Sequence, residues 1–334
     1  MNKRIVSAIS LSVLLSFNCA QSFGQVSQND IQRYSAYYSN GMQYLKNQQY
    51  GSAIIEFRKV LRFSPYDSTI QQALANAYLA RAQYYRSTTK EVKKALIDYK
   101  SAYFYAKHWN NNPNESLNAL ANSTLREITS LENRIGQSQT IQDRFQMAKI
   151  LRAQGELAAS AYDFHKLKDT QYKEIAYENL GNIYKNLNNL SLGMDYIKTA
   201  IDINPKNPKL HFLYGVMLDE AKNYEASMEQ YNLALQHGDK SPELMEILEN
   251  KWTQAIVNNP NDAQGYINLG AIYQKQGDLE GAKVQYQKAY QLNSDDDVIL
   301  YNLASLYNQQ KNYQGALGVY DKILVKHPNK IDVL

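Results

Sequence analysis

The chain has 334 residues, 44% hydrophobic and 20% charged, an ordinary soluble composition with ample length for a continuous core. Its formal net charge is only +4, part of it from Lys3 and Arg4 at the extreme N-terminus, which is too small an excess to argue for a nucleic-acid surface. The single cysteine, Cys19, excludes a disulfide framework or a CxxC metal site within one chain.

Residues 1–24 have the layout of a secretory signal peptide: a positive start at Lys3 and Arg4, a short apolar run from Ile5 to Phe17, then small residues at Ala20, Ser22 and Gly24. The apolar run is too short to cross a bilayer as a helix. An exported chain is expected, in a periplasm or cell envelope or outside the cell, with no transmembrane helix after signal removal. Cys19 opens a second, less favoured reading as the acylated first residue of a lipoprotein. The preceding Ser16, Phe17 and Asn18 depart from the bacterial lipobox, which wants a Leu-like residue and two small ones.

Residues 25–33 read as a polar, flexible lead-in. A first helical hairpin follows at 34–67, closed by Pro65, and a stretched one at 68–112. There Ala75, Tyr78, Ala82 and Tyr85 continue one face, so the extra residues before Ala95 lengthen the first helix by about two turns. Residues 108–113, HWNNNP, read as a loop by composition. A lone helix is expected at 115–135, with Leu117, Leu120, Thr124, Ile128 and Leu131 on one face. Residues 136–140 read as a polar hinge between an N-terminal block, 34–135, and a C-terminal block, 141–330. The latter holds hairpins at 141–173, 174–207 and 208–241, an extra helix at 242–259, and two closing hairpins at 263–296 and 297–330. Pro208 and Pro242 suit first helical positions, and no proline falls inside an expected helix.

Residues 174–207, EIAYENLGNIYKNLNNLSLGMDYIKTAIDINPKN, measure the rest. Tyr177, Leu180, Gly181 and Tyr184 line one helical face, and Gly193, Ile197 and Ala200 line a second after a polar break. The small residue at Gly181 is matched by Gly41, Ala75, Ala148, Gly215, Gly270 and Ala304. Gly193 is matched by Ala53, Ala95, Ser160, Ser227, Ala282 and Ala316, and Ile197 by Phe57, Tyr99, Phe164, Tyr231, Tyr286 and Tyr320. Many of the 28 tyrosines fall on such columns and read as repeat packing.

This pattern resembles the tetratricopeptide repeat (TPR), over roughly 34–330. The resemblance implies an all-α fold, a right-handed α-solenoid of stacked antiparallel helix hairpins forming a TPR-like superhelix. It further implies a concave groove, lined mainly by the first helix of each pair, that holds segments of partner proteins. The matching groove positions are Ile175, Glu178, Asn182 and Lys185 in the central repeat, and Tyr38 and Met42 in the first. They are Lys209, Phe212 and Val216 in the next repeat, Ile267, Gln274 and the adjacent Lys275 in the penultimate, and Tyr301, Ser305 and Asn308 in the last. Phe212, Ile267 and Tyr301 carry two readings, an exposed apolar contact surface or packing against the preceding hairpin. The family's clamp for a chaperone tail needs a denser Lys, Arg and Asn cluster than Asn182, Lys185, Lys209 and Lys275 provide.

Nothing points to an enzyme. His108, His165, His211, His237 and His327 are scattered without metal spacing, and GxSxG, GxxxxGK[ST] and GxGxxG are absent. No cofactor and no metal are expected, and Asp295–Asp297 reads as helix capping. The expected function is a non-catalytic protein-protein interaction scaffold with protein partners and no nucleic acid. The alternative is an accessory subunit of an envelope polysaccharide or secretion and pilus assembly complex, lipid-anchored in one version. Residues 331–334 begin where another hairpin would stand, so the expectation is either that this face meets another molecule, a second copy included, or that the sequence is part of something longer.

Overall fold

The structure is a computed structural model and describes residues 28–109, 113–136 and 140–327. The signal-peptide and lipoprotein readings, and the self-association reading at the C-terminal end, fall outside these residues. Sixteen α-helices form among the described residues. In chain order they are α1 Gln28–Lys46, α2 Tyr50–Phe63, α3 Ser68–Tyr84, α4 Val92–Tyr103, α5 Glu115–Ile135, α6 Ile141–Ala153, α7 Leu157–His165 and α8 Lys173–Asn186. They continue as α9 Leu190–Ile203, α10 Pro208–Glu220, α11 Tyr224–Gln236, α12 Pro242–Asn258, α13 Ala263–Gln276, α14 Leu279–Leu292, α15 Asp297–Gln309 and α16 Tyr313–Lys326. The expected all-helical stack of helix pairs is present, interrupted by the unpaired α5 and α12.

The pairs close because a small residue on one helix meets a large one on the other. A Cβ added to Gly193 would lie 2.9 Å from the main-chain oxygen of Gly181, so α8 and α9 touch backbone to backbone. In other pairs the gap holds an aromatic ring: a Cβ on Gly270 would meet Tyr286 at 2.7 Å. Phe57, Tyr99, Phe164, Ile197, Tyr231 and Tyr286 are all buried in this role.

The turns and links repeat as closely as the core does. Each turn within a pair places one residue at positive φ: Gln48, Lys90, Gly155, Asn188, Lys222, Gly277 and Lys311. Between pairs the same device recurs. Asp67 accepts from the Thr69 amide at 2.8 Å, Asn207 from Lys209 at 3.1 Å, Asp262 from Gln264 at 2.9 Å and Asp296 from Val298 at 2.8 Å. These side chains satisfy amides that have no partner within the helix. The capping role read for the acidic triplet is thus the one Asp296 performs, and Pro208 and Pro242 stand at helix starts.

The chain divides into two compact units, 1–205 and 206–334. In the first, three expectations are corrected. The lead-in is helical from Gln28, and α1 is held by Tyr34, a buried residue whose hydroxyl donates to Asp67 Oδ2 at 2.8 Å. The segment read as a loop from 108 is led by a core residue: Trp109 is fully buried and its indole N–H donates to the Pro65 carbonyl. Residues 136–140 are no block boundary, because a buried ion network crosses them. Lys100 Nζ on α4 lies 2.8 Å from Asp163 Oδ2 on α7 and 3.0 Å from Glu132 Oε1 on α5. Arg144 on α6 reaches Asp163 Oδ1 at 2.7 Å and Glu132 Oε2 at 3.1 Å. Burial pushes the Asp163 carboxyl up, against the pull of Lys100 and Arg144. The network pairs both charge signs and links four helices of this unit. In the hairpin read as lengthened, α3 runs on through a π-turn at Tyr85–Thr89, and α4 through another at Phe104–His108.

In the second unit α12 buries Leu244, Met245 and Leu248 against Tyr231, Ala234 and Ile272. Glu249 occupies the place that Gly215 holds in α10, and it accepts from Tyr273 Oη and Gln276 Nε2, each at 3.3 Å. A carboxylate thus stands where the closed pairs carry a small residue.

Candidate functional site

The first helices of the pairs carry every position expected to line a groove. In the first unit, Met42 on α1 and Ile175 on α8 are 43% and 41% exposed. Tyr38 is half-buried, its ring 5.9 Å from that of Phe57. Glu178 is buried at 8% exposure, so it is no open contact group. Asn182 is half-buried and donates to the Glu178 carbonyl at 3.1 Å, while Lys185 is also half-buried.

In the second unit the apolar reading of Phe212, Ile267 and Tyr301 is settled by packing. Ile267 is 4% exposed and belongs to the cluster containing Tyr286, Leu300 and Leu303. Tyr301 packs against the same cluster. Phe212 and Val216 pack on Leu244 and Leu248 of α12, with the Phe212 ring 6.0 Å from Tyr231. The three do not form an exposed apolar patch, because each packs against a buried cluster. Lys209, Lys275, Ser305 and Asn308 are exposed, and so is Val298, at 54%.

The polar column of this unit has a structural use that the repeat pattern did not reveal. Tyr286 Oη donates to Gln274 Oε1 at 2.9 Å, and Gln274 Nε2 donates to Gln309 Oε1 at 2.9 Å and Ser305 Oγ at 3.3 Å. Tyr231 Oη donates to Asp219 at 3.0 Å, and Asn308 Nδ2 donates to Tyr320 Oη at 3.0 Å. In all three pairs the polar residue precedes the tyrosine by 12 positions. That spacing was the available signal. Lys251 Nζ and Ser227 Oγ also reach Asp219, and these contacts outweigh its partial burial to hold its carboxyl below the usual range.

The lengthened hairpin adds a cleft of 390 Å³ in the first unit, walled by Arg81, Tyr85, Lys94, Asp98, Gln154 and Glu156. Arg81 forks onto Asp98 with two 2.7 Å bonds and lies 5.9 Å from the Tyr85 ring centre. Burial pushes Asp98 up more than Arg81 pulls it down. The cations and carboxylates largely answer one another here. His108 and His165, distant in sequence, stack with ring centroids 3.8 Å apart. Among the described residues no group of three or more His, Cys, Asp or Glu is placed to hold a metal ion, and no helix is long and apolar enough to cross a membrane.

Residues 175–207 and 253–334 each match a tetratricopeptide repeat family model. The chain is 27% identical over 176 residues to protein O-mannosyl-transferase TMTC1 of Homo sapiens, covering 51% of this chain and 18% of that protein. The Mus musculus protein of the same name is 23% identical over 176 residues, covering 51% and 16%. The chain therefore spans less than a fifth of the length of these curated relatives. Among solved structures, one from a functional characterization of Pseudomonas aeruginosa pilF is 14% identical, covering 82% of this chain and 98% of that one with a TM-score of 0.30. A tetratricopeptide repeat protein from Parabacteroides merdae ATCC 43184 is 15% identical, covering 90% and 96% with a TM-score of 0.28.

Proposed function

We propose, from the premise that this chain is a tetratricopeptide-repeat protein, that it is a non-catalytic scaffold holding segments of partner proteins along the first helices of its pairs. One observation carries the reading. The same first-turn position holds an exposed aliphatic in both units, Ile175 at 41% and Val298 at 54%, although the core of each pair is already filled. Exposed apolar groups rimmed by polar ones mark contact surfaces. Met42 on α1, and Ser305 on the same helix as Val298, extend the accessible set.

The partner surface is tested with a variant confined to exposed positions, Ile175→Asp, Val298→Asp and Ser305→Arg together. Partners cross-linked to the wild-type chain in its own cell extract should be lost to the variant. Equal capture by a variant with unchanged helicity and melting would sink the assignment.

The scaffold is an exported protein in this reading, supported by Lys3, Arg4 and the apolar run from Ile5 to Phe17. Mass spectrometry of the mature N-terminus tests it: an unlipidated start beyond Cys19 is expected, and an intact Met1 would overturn it. A second reading, an accessory subunit of an envelope polysaccharide or other sugar-transferring assembly, draws on the likeness to part of an O-mannosyl-transferase. Co-purification of a glycosyltransferase with the tagged chain would favour it.

A further inference from the structure

His108 ends the π-turn after α4, and His165 ends α7. Their rings are nearly parallel, at 8°, with centroids 3.8 Å apart. The Tyr184 hydroxyl donates to the main-chain carbonyl of His108, and His165 Nε2 lies 3.0 Å from the same hydroxyl. A phenol has one proton, and a carbonyl can only accept it, so His165 donates from Nε2. Its Nδ1 then carries a lone pair, and that buried atom has no hydrogen-bond partner among the described residues.

The next residue along the chain is an anchor. Trp109 is fully buried among Phe104, Tyr105 and Tyr184. Its indole N–H donates to Pro65, in the link between α2 and α3, and its carbonyl accepts from Asn189 Nδ2 at 3.3 Å, in the turn before α9. One residue thus joins the imidazole stack to a seat shared by two other helix pairs of the same unit.

The groups around the stack are of one sign or neutral. Lys107 comes from the turn itself, and Lys166 and Lys168 from the end of α7; all three act against protonation of His108. Tyr103 of α4 lies edge-on to His108 at 5.4 Å, and Tyr196 of α9 edge-on to His165 at 5.6 Å, with Asp195 acting on Tyr196 behind it. From α8 come Tyr184 and Tyr177, the latter beneath Lys168. From α3 Tyr78 stacks on Tyr105, and from α5 Asn118 accepts from Lys107 at 3.0 Å. No carboxylate acts directly on either imidazole among the described residues.

We propose that the His108–His165 stack is an acid-sensitive latch, whose protonation unseats Trp109 and loosens the lengthened hairpin from α8 and α9. A proton on His165 Nδ1 meets no acceptor among the described residues. Two imidazolium rings in van der Waals contact repel, and the three lysines add to that repulsion in a site shielded from water. The latch is independent of the groove reading and stands or falls alone.

The chain has two tryptophans, so Trp252→Phe in the full chain leaves Trp109 as the sole reporter. Its emission should be blue-shifted at neutral pH and move reversibly to the red as pH falls from about 6.5, the ordinary imidazole value, towards about 4. The double variant His108→Gln and His165→Gln in that background should keep the blue-shifted emission over the same range. An unchanged acid transition in the double variant would overturn the latch. So would histidine proton resonances of the unsubstituted chain in which all imidazoles titrate near 6.5, a measurement that requires no variant to fold.

Discussion

The hydroxyl of Tyr286 donates to Oε1 of Gln274 at 2.9 Å, tying the second helix of a pair to the first. Gln274 then passes the connection to Gln309 and Ser305 on the next first helix, so one amide couples two neighbouring repeats. Tyr286→Phe should lower stability by about 0.5–1.5 kcal/mol, the net worth of one hydrogen bond. Gln274→Ala should cost more, about 1–3 kcal/mol, because it strands the hydroxyl of a buried tyrosine. Urea melts of the two variants, compared at equal m-value, check the order, and a Gln274→Ala variant as stable as Tyr286→Phe would contradict it.

Gly193 and Gly181 make a backbone-to-backbone contact between paired helices. A Cβ at Gly193 would sit 2.9 Å from the Gly181 oxygen and 3.1 Å from the Lys185 nitrogen, both main-chain atoms that cannot rotate away. Gly193→Ala should therefore destabilise by about 1–3 kcal/mol, although alanine is the better helix former. Thermal unfolding reads this directly, and a rise in the melting temperature would show that α8 and α9 are not so close.

Lys222 and Lys311 hold φ values of 60° and 57° in turns where Gly155 and Gly277 do the same work at 80° and 87°. A side chain in the left-handed region costs roughly 1–2 kcal/mol, and glycine gives back part of that in unfolded-chain entropy. Lys311→Gly should thus stabilise by about 0.5–1 kcal/mol, and Gly277→Ala should destabilise by about 1 kcal/mol. Opposite signs in chemical denaturation confirm the shared turn geometry.

Burial, with Lys168, Lys166 and Lys107 nearby, pushes His108 down to about 3, and burial with His108 nearby holds His165 well below the usual imidazole value. Both groups are neutral in the fold, so above about pH 6.5 they contribute no pH dependence. Below that value the unfolded chain takes up protons that the fold refuses, and stability falls by up to about 1.4 kcal/mol per pH unit for each histidine. The loss continues until the latch opens and takes up the protons, at the latest near the closed fold's value of about 3. Denaturation at pH 7, 6, 5 and 4 should show a steeper fall for the wild type than for His108→Gln, with the difference opening below about pH 6.5.

Much of the fold is legible along the chain because its determinants are local. The small and aromatic columns, such as Gly270 with Tyr286, are set by one repeat length, and so are the capping residues at Asp262 and Asp296. The bounds of α5, Glu115–Ile135, follow from Asn114 and Gly136, which cap it by their own chemistry. The groove positions were less legible. Ile267 and Glu178 sit at the right register for exposure, yet neighbouring helices cover them. Helical spacing names a face; it does not say how much of that face the next helix takes.

Repeat period, helix pairing and turn placement belong to the sequence, since each is decided within a few dozen residues by side-chain size, proline and capping groups. The association of Lys100 with Asp163, of His108 with His165, and of Trp109 with Pro65 and Asn189 belongs to the tertiary structure alone. These contacts join segments with no shared periodicity. Their strength comes from exclusion of water at the point of meeting, which exists only once the helices have stacked.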